Sequence, residues 1–350
     1  MEQKLTNKKY FAAANGYAGF RSYFSEAFSV REHERIYVLK GGPGTGKSSF
    51  MRRLSSDLSV KGCTVEEIYC SSDPKSLDGI IVYGNGKSIA VIDGTAPHET
   101  DATVPGACDE LVNLGDAWDS RWLSGERERI LKINDEKKNA YKCAYSCLSI
   151  AGKAHDAKSE FKAELYDAEK AKSAIKSLAD SASSANIGKS STRLISAFGK
   201  RGLVRFDTIE AASEKIFSVS GDEYASERFL TDLCNTLKQR EIELIRCPSP
   251  LDPKVIEGIF IPSIKSCFVI GERENTISCD AFFTDNALSL ERRKCAEECH
   301  RIALDDAERW FAIASELHFA LEDIYTRAMD FDVINRLYEK KLGEIEGILA

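Results

Sequence analysis

Ile36-Tyr37-Val38-Leu39, a short apolar run, leads into Gly41-Gly42-Pro43-Gly44-Thr45-Gly46-Lys47-Ser48-Ser49 and then into Phe50-Met51-Arg52-Arg53-Leu54. This is the pattern GxxxxGK[ST] with a strand before it and a helix after it, the setting in which it wraps phosphate. The glycines let backbone N–H groups turn inward where a side chain would collide or hold φ negative. A helix starting near Lys47 points its positive end at the same place. In that arrangement Lys47 reaches the β- and γ-phosphates and the Ser48 hydroxyl ligates Mg²⁺. Residues Gly41–Ser49 are therefore expected to bind ATP together with Mg²⁺.

Composition sets the bounds around that loop. The 350 residues suggest two domains, and 43% apolar with 29% charged residues is ordinary for a globular chain. The net charge of −7 argues against wholesale nucleic-acid binding. Neither a secretory h-region after Met1 nor an eighteen-residue apolar run is seen, so a cytoplasmic protein with no membrane contact is expected. The eleven cysteines form no short-spaced framework. Cys143/Cys147 and Cys295/Cys299 sit at helical spacing, and buried or half-buried reduced thiols suit them better than a metal site.

The chain also repeats itself. Asp73-Pro74-Lys75 matches Asp252-Pro253-Lys254, Leu77-Asp78-Gly79-Ile80 matches Ile256-Glu257-Gly258-Ile259, and Lys87-Ser88 matches Lys265-Ser266. Two lobes of one plan follow, 1–190 and 191–350. Strands are expected at Ile36–Leu39, Val65–Cys70 and Ser88–Ile92, alternating with helices, which implies α/β lobes with mainly parallel sheets. A long helical hairpin is expected after each sheet, from about Ser124 to Leu178 and from about Leu288 to Leu349. The small-residue stretch Asp180–Gly188 reads as the linker. The exposed helices offer a place for a protein partner.

The second copy of the loop is broken. Its counterpart is Phe217–Ser226, with the equivalent of Lys47 falling within Asp222–Ala225, and no lysine stands there. Asp222 and Glu223 would repel phosphate. Comparing the copies sorts the remaining residues. Asp73-Pro74 and Leu77-Asp78-Gly79 occur in both and read as architecture. Asp93 closes the apolar strand Ile89-Ala90-Val91-Ile92 and has no counterpart near Gly271-Glu272-Arg273. At the carboxyl edge of a sheet, Asp93 is expected to hold Mg²⁺, usually through a water.

At these residues the chain resembles an uncharacterised family of bacterial ATP-binding proteins built from two P-loop lobes in tandem. The likeness is most specific in Lys40–Ser49, Cys70–Gly79 and Ile92–Asp119. It implies P-loop NTPase-like lobes, ATP binding and hydrolysis. Members of that family carry a phosphate loop in both lobes, and this chain departs from them in the second.

The reaction is less legible. Gly94 stands where many such ATPases place a glutamate base; His98, Glu99, Asp101 and Asp73 are candidates for orienting water, His98 first among them. No arginine finger declares itself among Arg52, Arg53, Arg121 and Arg127. An ATPase driving rearrangement of the lobes or of a partner is the leading expectation, with Lys47, Asp93 and His98 as its catalytic residues. A small-molecule kinase and a nucleotide-gated scaffold are the alternatives.

Overall fold

The computed structural model describes residues 7–273, 275–284 and 287–350. Its first half runs β1 (Lys8–Phe11), the hairpin β2 (Ala13–Gly16) and β3 (Gly19–Ser22), α1 (Phe24–Ala27), β4 (Arg35–Lys40) and α2 (Lys47–Val60). It continues with β5 (Thr64–Tyr69), β6 (Leu77–Gly84), β7 (Lys87–Asp93), β8 (Asp109–Asn113), α3 (Ser120–Gly125), α4 (Arg127–Ala163) and α5 (Ala168–Ser181). The second half runs β9 (Ser191–Thr192), the hairpin β10 (Ser196–Gly199) and β11 (Gly202–Arg205), α6 (Thr208–Ala211), β12 (Lys215–Ser220) and α7 (Glu223–Gln239). Then come β13 (Ile245–Pro248), β14 (Ile256–Ile261), β15 (Ser266–Ile270), β16 (Thr276–Ser278), α8 (Ala287–Arg327) and α9 (Phe331–Leu349).

The two halves build the same sheet. The orders are β1-β5-β6-β7-β4-β8 and β9-β13-β14-β15-β12-β16, six strands each. In both, the pairs flanking the third strand (β6 or β14) are antiparallel and the others parallel. The sheets are thus mainly parallel, as expected, with one antiparallel strand inserted in each. The cause is a tight turn: Asn85 and Gly86 take positive φ, so β6 reverses directly into β7 without a crossover helix. Ile80, Ile81, Val82, Ile89, Ala90, Val91 and Ile92 are all buried, as strands covered on both faces require.

The long helices do not form a hairpin within each half, as the sequence had suggested. Instead α4 and α8 lie antiparallel along one another: Tyr141 and Tyr145 meet Phe311, and His155 meets His300. The shorter helices then cross over. Asp330 caps α9 through the N–H groups of Asp332 and Val333, and Ile334, Tyr338, Ile345 and Leu349 join the core of the first half with Met51, Leu54 and Leu58 of α2. Asp167 caps α5, whose Ala171, Ile175 and Ala179 join the second-half core with Phe229, Leu233 and Leu237 of α7. The hairpins are exchanged too. Gly16 closes against the Pro250 and Leu251 carbonyls, and Gly199 closes against the Ser71 and Ser72 carbonyls, each too near for a Cβ. Asn15 Nδ2 donates to the Phe198 carbonyl at 2.8 Å and ties one hairpin to the other. No helix among the described residues is long and apolar enough to cross a membrane.

Candidate functional site

Lys40 ends β4, Gly41–Gly46 form the turn, and α2 begins at Lys47. Gly44 and Gly46 take φ of +71° and +86°, values that only glycine adopts without strain. Thr45 is buried, and its Oγ1 donates to the Gly42 carbonyl at 2.9 Å, bracing the turn from within. Lys47 Nζ folds back and donates to the Gly41 and Gly42 carbonyls at 2.9 Å each. It also lies 3.8 Å from Asp93 Oδ2. β7 adjoins β4 in parallel with Leu39 opposite Asp93, so the strand order itself brings the carboxylate beside the loop.

Asp93 is closely framed. Its Oδ1 accepts from the Thr95 N–H at 2.9 Å and the Thr95 hydroxyl at 2.6 Å, which leaves Oδ2 toward Lys47. Burial pushes its pKa above the ordinary carboxylate value despite Lys47 and Thr95, and the nearby Asp78 adds to the rise. A second cation at Oδ2 would relieve that stress. Ser48 Oγ accepts the Leu77 N–H at 2.9 Å and so ties the start of α2 to β6. Pro43, Gly44 and Gly46 are half-buried, and Ser49 points outward.

His98 sits differently from a solvent-facing base. Only 6% exposed, it stacks on Phe24 with ring centroids 4.4 Å apart. Its Nε2 is 3.0 Å from Asp78 Oδ2, close enough for an ion pair although neither Asp78 Oδ2 nor His98 Nδ1 meets a hydrogen-bond partner in good geometry. Burial, the largest single influence, would lower the imidazole pKa, but the charge and hydrogen bond of Asp78 and the charge of Asp93 together outweigh it and the net direction is upward. Asp101 pairs with Lys40 at 2.7 Å, and Asp73 pairs with Lys200 of the second half at 2.7 Å. Arg52 is spent on the Lys75 carbonyl, and Arg53 on Asn335, Glu339 and the Tyr338 ring. No protein-family model, curated protein or solved structure matches the chain.

The last turns of α8 lie on the loop, a contact that no local signal in the sequence marks. A Cβ on Gly42 would fall 2.8 Å from Tyr325 Cε1, and one on Gly44 would fall 2.5 Å from the Glu322 carbonyl oxygen. Thr326 Oγ1 donates to the Gly44 carbonyl at 3.3 Å. Gly42 and Gly44 therefore both serve a close protein contact, and Gly44 serves a positive φ as well.

The second half shows what happens when the loop is lost. Between β12 and α7 only Gly221 and Asp222 remain, and α7 starts at Glu223, where α2 starts at Lys47. Asp222 caps α7 and pairs with Lys162 at 2.9 Å, while Glu223 meets Lys158 at 2.5 Å. Both lysines come from α4 and are almost fully buried. The start of α7 is thus occupied from within the chain by two carboxylates and their lysine partners. Register puts Ile270 opposite Val219, as Asp93 stands opposite Leu39.

Proposed function

We propose that the first half is a P-loop NTPase site that binds Mg-ATP on Gly41–Ser49 and hydrolyses it, and that the second half is its non-binding partner. The observation carrying this reading is Lys47: its ammonium is gathered by the Gly41 and Gly42 carbonyls and faces Asp93 at the carboxyl edge of the adjacent parallel strand. An ammonium held in a glycine loop at a helix N-terminus suits a polyphosphate. The likeness to tandem ATP-binding proteins in three separate stretches points the same way.

The donor set fits Mg²⁺. The Ser48 hydroxyl and Asp93 Oδ2 are hard oxygen donors, and too few for a metal cage of protein alone. Among the described residues no cluster of three His, Cys, Asp or Glu forms such a cage. Mg²⁺ characteristically takes one or two protein oxygens and completes its shell with phosphate and water. Bound there, it would neutralise charge on the β- and γ-phosphates. The chain itself supplies the rest. Loop N–H groups and Lys47 orient the phosphates, Asp93 holds charge at the strand end, and the covering by α8 limits water. In hydrolysis a water oxygen bonds to the γ-phosphorus as its bond to the bridging oxygen breaks, giving ADP and phosphate. His98 has an enclosed ring paired to Asp78, which suits holding Asp78 beside Asp93 better than reaching water itself.

The seat of Tyr325 and Thr326 on Gly42 and Gly44 favours coupling of the nucleotide to the long helices. The test is nucleotide binding and phosphate release by the full chain, with and without Mg²⁺. Mg-dependent phosphate release without an acceptor supports the ATPase. Release of ADP only with an added acceptor would indicate a kinase, and tight ATP binding with no turnover a scaffold. No nucleotide binding would overturn the reading.

A further inference from the structure

Of the cations beside the loop, Arg52 and Arg53 are engaged elsewhere and Lys40 serves Asp101 and the Gly94 carbonyl, so none of these three joins Lys47 at the γ-phosphoryl oxygens. Exchange of the hairpins brings one from the other half. The turn between β10 and β11 carries Lys200, whose Nζ reaches Asp73 Oδ2 at 2.7 Å and Ser315 Oγ of α8 at 2.9 Å, over the Phe319 ring at 4.5 Å. Its side chain is 14% exposed. Asp73 opens the turn that leads into β6, and the first N–H of β6, from Leu77, is held by Ser48. Lys200 therefore stands on the β6–β7 side of the loop, the side on which Asp93 lies.

The repeat supplies the control. The turn of the first hairpin, Gly16–Gly19, corresponds to Gly199–Gly202, so Tyr17 is the counterpart of Lys200. Tyr17 enters the broken site of the second half, where it meets His300 Nε2 at 2.7 Å and presses on Gly152. One exchanged hairpin thus carries a neutral phenol to the site that has no phosphate loop. The other carries an ammonium to the site that has one.

We propose that Lys200 is a catalytic residue supplied across the halves: with triphosphate bound it leaves Asp73 and donates to the γ-phosphoryl oxygens as charge gathers on them. This rests on the nucleotide reading above. Lysine suits the task as a compact charge on a flexible stem, and a cation brought to such a transition state changes turnover far more than ground-state binding. Lys200 only donates hydrogen bonds: as the water oxygen bonds to the γ-phosphorus, the bond to the bridging oxygen breaks with its electron pair leaving on ADP, and the water's proton passes to the phosphate formed or to solvent.

The test compares Lys200→Met with wild type in the full chain, measuring ATP affinity, turnover, and binding of ADP with aluminium fluoride as a transition-state mimic. Methionine keeps the stem on Phe319, and Ser315→Ala removes a contact of Lys200 while leaving its charge. The expected result is ATP affinity within threefold of wild type, turnover down at least tenfold, a similar loss for the mimic, and little change for Ser315→Ala. Turnover and mimic binding near wild type in Lys200→Met, while Lys47→Ala abolishes ATP binding, would overturn the role of Lys200 and leave the site standing. Equal losses in Lys200→Met and Ser315→Ala would also overturn it, in favour of a contact that merely holds the halves together. Absence of ATP binding in wild type would instead remove the reading beneath it.

Discussion

Asp93 and Ile270 occupy one position in two sheets of the same plan, each opposite the last apolar residue of the strand that precedes the glycine loop or its shorter counterpart. Where the loop is intact the position holds a carboxylate, and where the loop is lost it holds an apolar side chain. Glu223 replaces Lys47 in the same half. On the nucleotide reading this pairing of losses sets the stoichiometry. Calorimetric titration with Mg-ATP is expected to give one site per chain, and a two-site isotherm would refute the assignment of the second half as non-binding.

Removing the loop ammonium tests the site most directly. Lys47→Ala should lower ATP affinity at least a hundredfold with the far-UV circular dichroism unchanged, because among the described residues the lysine's partners are loop carbonyls and Asp93. Unaltered ATP affinity would sink the proposal.

Asp93→Asn should raise the Mg²⁺ concentration needed for half-maximal turnover, because the amide keeps the shape but loses the charge. The same change removes a buried carboxylate held above its ordinary pKa, so the protein is expected to melt no lower than wild type. Wild-type Mg²⁺ dependence in Asp93→Asn would show that this carboxylate does not serve the metal.

Local signals were legible in the sequence, and long-range ones were not. The strand–glycine–helix unit at Ile36–Leu54 is encoded by contiguous residues, and so is Asp93 at the end of its apolar strand. The repeat disclosed the matching sheets because its turns retain the same short words. The partners of α5 and α9 could not be read in this way. An amphipathic stripe such as Ile334, Tyr338 and Ile345 states that a face is buried but not against which sheet. The contact of Tyr325 with Gly42 was likewise hidden, since a glycine in a GxxxxGK[ST] pattern already has a sufficient local reason.

Crossing of the helices makes a prediction about truncation. A chain ending near Ser184 keeps Lys47 and Asp93 but loses Tyr338, which is 1% exposed and bonds Asp57 at 2.5 Å, together with the rest of α9. The first-half core would then open to water, so the fragment is expected to be insoluble or molten. In the full chain, Tyr338→Ala alone should cost about 3–5 kcal/mol, read by denaturant unfolding. A soluble, cooperatively folding 1–184 fragment would show that α9 is dispensable to that core.

Buried carboxyls make the stability of the fold depend on pH. Glu257 stands where the first half has Asp78, but no histidine faces it. Its Oε1 accepts from the Ser196 hydroxyl at 2.5 Å, and burial raises its pKa to about 7. Glu227 is raised to about 7 as well, by burial first and by Glu223 next. A carboxyl whose folded pKa lies above its unfolded value binds its proton more tightly when folded. Its contribution is fully present below about pH 4.5 and is lost as pH rises to about 7. His98, also raised, adds in the same direction: its contribution is present below its unfolded value and fades as pH climbs through the folded one. These three groups contribute a fall in stability between pH 5 and pH 8, opposed up to about pH 6.5 by His33, His155 and His300, which burial holds below their ordinary value. Glu257→Gln keeps a group that can meet Ser196 and cannot ionise, so it should flatten part of that slope and gain on the order of 2 kcal/mol at pH 8, with no gain at pH 4. Melting curves across that range decide it: a slope identical to wild type in Glu257→Gln would mean that this carboxyl titrates normally in the folded protein.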